Sequence, residues 1–441
     1  MKLFLHVYII LCFLIAFRAI EAKAQSIWQP IGLQQQGIST LIVDPRDSNV
    51  LYAGYGSNFS AGTDGRIFKT TNSGQSWDTI FCCGDFNTIV IHPDSSSVSY
   101  AALGGANYNK SGIIKTTDEG MTWFRSDSGI FVFPSSSVVP LAIDPKYPEI
   151  LYAGLTAVEC CVGIYKSTNS GSSWFQLPDT TEFTTGGVPA IGISPNNTDI
   201  IYISTVPSVA ILKSFDGGNS WGFTGMGGPN TNIHFPISVV KVFDDTTLFA
   251  GVDSTLFRST DGGNSWSDIG IANMFIRVQD VIVIDPLNII CSTSGGIWKT
   301  QNGGLSWEEI NNGLTDVIPT VLSYSRSILY AGTWQGVFKL DLLTSLDNKI
   351  NFAPTHFMLY QNYPNPFNPS TTISFEIVSA GFTSLKIFNT LGQEVATLVN
   401  EVKRPGSYSV AWNAHSASSG VYFYRLTTGT HIETKKLLLL R

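Results

Sequence analysis

The sequence predicts an all-β protein, a seven-bladed β-propeller followed by a small C-terminal β-sandwich. Three observations carry this expectation. A turn phrase of the form Ser/Thr-x-Asp/Asn-x-Gly-x-Ser/Thr-Trp occurs six times, at Thr70–Trp77, Thr116–Trp123, Ser167–Trp174, Ser214–Trp221, Ser259–Trp266 and Thr300–Trp307. A strand phrase of the Leu-Tyr-Ala-Gly type precedes each copy and then appears a seventh time without one. A Trp-containing segment at the front of the chain supplies what the seventh unit lacks. Self-similarity at this period is the mark of stacked supersecondary units, and units of four short strands are propeller blades. Composition agrees: 41 glycines and 12% aromatic residues suit short strands joined by tight turns, and 13% charged residues is too few for a disordered chain.

Taken from the front, residues 1–24 read as a secretory signal peptide. Lys2 opens it, Leu3 to Phe17 is apolar, and Ala22-Lys23-Ala24 offers an A-x-A cleavage site. The apolar run is short for spanning a bilayer. No later stretch is apolar enough, so no transmembrane segment is expected in the mature chain.

Residues 25–343 carry the repeat. In the turn phrase, Asn72, Asp118, Asn169, Asp216, Asp261 and Asn302 supply a side chain that caps backbone N–H groups, Gly takes the positive φ, and Trp packs between sheets. The strand phrase reads Leu51–Gly54, Tyr100–Leu103, Leu151–Gly154, Ile201–Ser204, Leu248–Gly251, Ile290–Thr293 and Leu329–Gly332. An apolar strand precedes it and a Gly-led strand follows, so each unit is four strands, A to D, with the box at the C–D turn. Unit seven runs out after Lys339, and Ser26–Gly32 is expected to be its outer strand, closing the ring and removing an open sheet edge. Lys69, Lys115, Lys166, Lys213, Arg258, Lys299 and Lys339 recur just before the boxes, a position that argues for a role between blades.

These boxes resemble the BNR/Asp-box propellers, a group that includes sialidases, the sortilin ectodomain, two-propeller xyloglucanases and a photosystem II assembly factor. The likeness covers residues 26–340.

After a linker, 344–356, the pattern changes at 357–441. Tyr363-Pro364-Asn365-Pro366-Phe367-Asn368-Pro369 is followed by alternating strands Ser384–Phe388, Gly406–Trp412 and Ser419–Arg425, the turn Asn389–Val395, and a Lys435-Lys436-led apolar end. Period-two alternation with Gly and Pro punctuation suggests the sandwich. The stretch closely resembles the type A C-terminal sorting domain of the type IX secretion system of Bacteroidetes and their relatives. That resemblance implies entry into the periplasm, folding, passage across the outer membrane, and the secretion machinery as a partner.

Charge narrows the remaining partners. Against a net charge of −7, residues 1–24 carry +2 and 357–441 carry +3, leaving −12 between them. An acidic body without a basic stripe excludes nucleic acid as an expected partner. No nucleotide, zinc-peptidase or hydrolase-elbow motif is present, so neither cofactor nor metal is expected.

The B–C and D–A loops share the face opposite the boxes, and they are aromatic. Tyr55, Phe59, Tyr108, Phe131, Phe133, Phe183, His234, Phe235, Arg277 and Trp334 are therefore the candidate ligand-binding residues. Cys82, Cys83, Cys160 and Cys161 map to the same face and are candidates for disulfides, within or between the pairs. A sialidase needs three arginines on the substrate carboxylate. Arg277 and at most Arg66 reach this face, with Arg46, Arg258 and Arg326 elsewhere, so no catalytic residue is assigned. The expectation is a non-catalytic binder of glycan, peptide or partner protein. The alternatives are a glycoside hydrolase or lyase using two of Asp64, Asp85, Glu159, Asp179 and Glu182, or an assembly factor for an outer-membrane complex.

Overall fold

The computed structural model describes residues 27–56, 65–104, 111–131, 137–156, 163–178, 187–206, 209–227, 237–252, 255–270, 277–314, 318–342, 357–359, 361–362, 365–378, 381–403, 406–415, 417–429 and 431–440. Residues 1–24, expected from the sequence to be a signal peptide, lie outside them. Two compact units divide the chain, 1–348 and 349–441.

Seven four-stranded antiparallel sheets make up the first unit. Blade one is built from Ile38–Val43, Leu51–Tyr55, Arg66–Thr70 and Asp78–Cys82, strands A to D in that order. Blades two to six follow the same scheme over 85–125, 137–176, 191–227, 237–268 and 278–309. Blade seven takes Pro319–Ser325, Ile328–Thr333 and Gly336–Asp341 from its own stretch and Gln29–Gly32 from the front of the chain, with Gln29 opposite Lys339. Each A strand packs on the A strand of the next blade, and that of blade seven packs on that of blade one, so the seven sheets form a ring.

Strand B is buried on both faces in every blade, which is why its phrase reads as a continuous apolar run instead of alternating. Its fourth residue must be small. A Cβ added at Gly54 would sit 2.4 Å from the Thr40 side chain and 3.0 Å from Phe86 of blade two. At Gly332 it would meet Ile38 of blade one at 2.7 Å.

The register corrects two repeat assignments. In blade one Leu51 pairs with Thr70, the first box residue, and Tyr52 with Lys69. By the same pairing the phrase in blade two is Ser99–Ala102, with Tyr100 opposite Lys115, and in blade six it is Ile289–Ser292. Each is one residue earlier than the sequence suggested. All seven fourth positions are then Gly, Ala or Ser.

The boxes are knots between blades. In blade two the Asp118 carboxylate accepts from the Thr122 backbone N–H at 2.8 Å and its hydroxyl at 2.6 Å, while the Thr116 hydroxyl accepts from Gly120 N–H. In the Asn boxes the amide does the same work, with Asn72 accepting from Ser76 N–H and donating to its hydroxyl. In blades one to four the lysine before the box reaches forward to the box of the next blade. Lys69, Lys115, Lys166 and Lys213 donate at 2.9 Å to the carbonyls of Glu119, Ser170, Gly217 and Gly262. The phrase tyrosines Tyr52, Tyr100, Tyr152 and Tyr202 donate to those same four carbonyls. Each carbonyl thus takes an ammonium and a phenol from the blade before it. Burial pushes the Tyr100 hydroxyl up to about 12 and lowers Lys115, Lys166 and Lys213, so these partners are desolvated and the bonds between them are correspondingly strong.

Tryptophans reach the other way. Trp77 Nε1 donates to Ile31 O of the closing strand, Trp174 to Ser126 O and Trp307 to Ile269 O. Trp28 stands in the seventh position of this series: it is 2% exposed, and its indole donates to Ile310 O at the end of blade six.

The second unit is a sandwich. One sheet holds Met358–Leu359, Ser370–Ile377 and Gly406–Asn413. The other has the order Glu394–Lys403, Gly381–Phe388, Gly420–Thr428 and His431–Leu439. Phe367, Phe375, Leu385, Trp412, Tyr424 and Leu437 are among the residues of their shared core.

Candidate functional site

The candidate functional residues fall in two regions, the loop face of the propeller and the Pro-rich segment of the sandwich.

Hydrogen bonds at the ends of the strands establish that B–C and D–A connections share a face. In blade six the B–C turn residue Ser294 donates its N–H to Arg277 O, and its hydroxyl accepts from Arg277 N–H. Arg277 immediately precedes strand A. Blade seven repeats the arrangement, with Trp334 N–H on the carbonyl of Ile318. Both side chains, Arg277 and Trp334, are exposed on neighbouring blades while their backbones are fixed. Two-residue B–C turns in these blades explain the rigidity: a Thr hydroxyl, Thr293 or Thr333, ties each turn by accepting from the N–H two residues on and donating to the following Gly carbonyl.

Phe131 lies between blades two and three and is 71% exposed, and Trp334 is 50% exposed. Ile318, 41% exposed beside the Trp334 backbone, extends the apolar surface there, a residue the sequence reading passed over. Tyr55 is buried at the end of strand B and offers no ring to solvent, because that strand is covered on both faces as far as its last residue. Phe59, Tyr108, Phe133, Phe183, His234 and Phe235 lie outside the described residues, as do Asp64, Glu159, Asp179 and Glu182.

Of the arginines, Arg66 and Arg277 are exposed at this face. Arg46 instead donates to Asp94 O, Arg326 sits in a turn with φ 59, and Arg258 lies over the Phe249 ring. The described residues therefore bring no three arginines together. Nor do they gather three or more His, Cys, Asp or Glu in a group able to hold a metal ion. Asp85 opens strand A of blade two, half-buried, as the described carboxylate of the candidate acid set.

Cys82 and Cys83 occupy the D–A connection from blade one to blade two, both exposed, with sulfurs 2.9 Å apart and no disulfide between them. Cys160 and Cys161 lie outside the described residues. Cys291 is fully buried on strand B of blade six, where burial pushes its thiol far up.

In the sandwich the Pro-rich segment is a strap along the outer edge of the last strand, His431–Leu439. Asn365 Oδ1 accepts from Leu438 N–H at 2.9 Å. Phe367 donates its N–H to Leu438 O and accepts from Leu440 N–H, both at 3.0 Å, forming a parallel bridge to Leu439. Gln361 Nε2 donates to Lys436 O. Phe367 is buried and packs on Trp412 with ring centroids 5.5 Å apart. The Asn365–Pro366 bond is cis. Asn368 and Pro369 lead into the strand Ser370–Ile377, and Pro369 O accepts from Ala414 N–H. Asn362, also missed in the sequence, accepts at its side-chain oxygen from Gln361, while its N–H donates to the Tyr424 hydroxyl and its Nδ2 to Thr371. Tyr363 and Pro364 lie outside the described residues.

Among the described residues no helix is long and apolar enough to cross a membrane.

Comparison with known proteins agrees with this architecture. Residues 361–440 match the family of the secretion system C-terminal sorting domain, and residues 203–328 match that of the photosynthesis system II assembly factor YCF48. YCF48 from Cyanidioschyzon merolae is similar in structure, with TM-score 0.53 and 14% identity over 71% of this chain and 98% of that one. YCF48 bound to D1 peptide gives TM-score 0.52 and 14% identity over 71% and 96%. The GH74 xyloglucanase from Xanthomonas campestris gives TM-score 0.56 and 13% identity over 92% and 75%. No curated protein matches the chain. At these identities the structural likenesses establish the fold, and the tail establishes the route: export by type IX secretion to the cell surface or the extracellular space. Ring, boxes and tail together describe a seven-bladed β-propeller with Asp-box turns, followed by a C-terminal sorting domain for type IX secretion.

Proposed function

We propose that the propeller is a non-catalytic binding module that takes an extended segment, peptide or glycan, across its loop face. The observation that carries this reading is the exposed Trp334 ring on a rigid two-residue turn, with Phe131 exposed at a D–A connection of the same face. A large ring held in water by a fixed backbone is a ready contact surface, since little side-chain or loop entropy is lost when it is covered. Arg277, exposed on the neighbouring blade, adds a donor for carboxylate, carbonyl or hydroxyl oxygens. A YCF48 propeller has been captured with a peptide, and this supports a peptide ligand for the shared fold.

Glycoside hydrolysis is the second reading, favoured by the likeness to the GH74 xyloglucanase and by Asp85 on the loop face. It requires a second carboxylate placed opposite the first across a bound sugar.

The test uses the full exported chain on peptide and glycan arrays, with hydrolysis of the same glycans followed in parallel. Binding without turnover is expected, weakened at least about tenfold in Trp334→Ala by loss of one buried aromatic contact. Turnover that is lost in Asp85→Asn would replace the proposal with the hydrolase reading. A partner protein recovered with the chain, insensitive to Trp334→Ala, would point to assembly work through another surface.

A further inference from the structure

We propose that Cys82 and Cys83 are a built-in oxidation site, closing to a vicinal disulfide at the rim of the loop face when the protein is exported. Their sulfurs already stand 2.9 Å apart, and both side chains are exposed to an oxidant. A disulfide requires about 2.05 Å, so closure asks for a movement of less than about 1 Å.

The backbone that aligns them is held from outside the pair. Cys83 has φ +77, a left-handed conformation that an L side chain rarely adopts unaided. Gly65 holds it there, its carbonyl accepting from Cys83 N–H at 2.9 Å and Gly84 N–H at 3.4 Å. A Cβ on Gly65 would lie 2.0 Å from Gly84 O, and one on Gly84 would lie 2.3 Å from Leu103, so the surroundings allow no bulkier version of this turn. The dithiol is therefore presented by a turn locked between the C strand of blade one and blade two.

Compartment supplies the driving force. The sorting tail sends the chain through the periplasm, where protein disulfides act as oxidants. The thiolate of Cys82 attacks an oxidant disulfide, forming a mixed disulfide and releasing one oxidant thiolate. Cys83, having lost its proton to solvent, then attacks the Cys82 sulfur and expels the second oxidant thiolate. Two electrons pass to the oxidant, which leaves as a dithiol, and the protein keeps one S–S bond. Cys291 is an internal control, because its buried thiol has no route to an oxidant.

The proposal does not depend on what the propeller binds. The full chain, collected after export, is acid-quenched, alkylated with N-ethylmaleimide without reductant, and digested for mass spectrometry. The peptide carrying Cys82 and Cys83 is expected to lack both labels and to weigh two hydrogens less than the dithiol. Reduction before alkylation is expected to place a label on each cysteine. A doubly labelled peptide without reduction overturns the proposal, as does a cross-link to the peptide carrying Cys160 and Cys161. A Cys160→Ser/Cys161→Ser chain keeps the two-hydrogen deficit if the ring is vicinal, and loss of the deficit there refutes it.

Discussion

At the residue scale, the box aspartates show how one side chain can organise a turn with no help from burial. Asp118, Asp216 and Asp261 lie in the open, yet hydrogen bonds from Thr122, Ser220 and Ser265 hold their carboxyls at about 2, below the ordinary 3.8. A depressed folded-state value means that the stability these bonds give is complete above pH 4 and is lost as pH falls from about 4 towards 2. Asn72, Asn169 and Asn302 make equivalent bonds without titrating. Asp118→Asn is therefore expected to fold normally and to lose less stability than the parent between about pH 4 and pH 2, read as thermal midpoints across that range. An unchanged acid profile would mean that blade two does not limit acid unfolding. The lysines beside the boxes are a different kind of residue. Their place before the boxes suggested a role between blades, and in blades one to four the ammonium is spent on the next blade's carbonyl, so the charge of those four is structural.

At the scale of elements, the strap over the last strand of the sandwich explains a motif through its partners. A strand at a sheet edge leaves N–H and C=O groups open to pairing with other chains. From Lys436 O to Leu440 N–H, four of these outward groups are taken by Gln361, Asn365 and Phe367. Phe367→Ala is expected to destabilise the sandwich by about 3–5 kcal/mol, the usual cost of deleting a buried phenylalanine. Faster hydrogen exchange at Leu438 and Leu440, with the propeller amides unchanged, is the direct readout. Protection at those two amides equal to the parent would remove the strap from the account.

Much of this was legible in the chain. Six boxes gave the units, and the distance from Trp28 to Trp77 pointed to the closing strand. Blades two and six were misplaced by one residue because Ser99-Tyr-Ala-Ala and Ile289-Ile-Cys-Ser lack the glycine that ends the phrase in blades one, three, five and seven, and the Tyr100–Lys115 and Ile290–Lys299 pairings fix the phase. Tyr55 looked like a rim aromatic because a long loop follows it, while burial of strand B on both faces extends to it. The strap could not be read at all, since Asn365 and Leu438 are 73 residues apart and neither shows its partner in sequence.

For the whole molecule, the candidate binding face and the knots between blades lie at opposite ends of the blades. Lysines of blades one to four and the tryptophans Trp77, Trp174 and Trp307 tie one end of their blades to a neighbour. At the other end the B–C connections run from two residues in blades five, six and seven to ten in blade one. The ring as a whole depends on Trp28, whose indole joins the first strand to blade six at Ile310 O. Trp28→Ala is expected to cost about 3–5 kcal/mol. Because the junction belongs to no single blade, urea unfolding of the propeller is expected to move to lower concentration as one transition, with no separate early loss of blade seven. An isolated early transition confined to blade seven would show that the other six blades stand without closure.

The closing strand also imposes an order of events. A chain that emerges front end first makes Gln29–Gly32 long before Gly336–Asp341, its partner, exists. Until some three hundred residues later, that strand has no sheet to join. Contacts of such long separation form late, and half-finished rings expose edges that invite association with other chains. Crossing the cell envelope thus adds a timing problem to a folding problem: the front of the chain has to be kept from premature pairing until its last blade arrives.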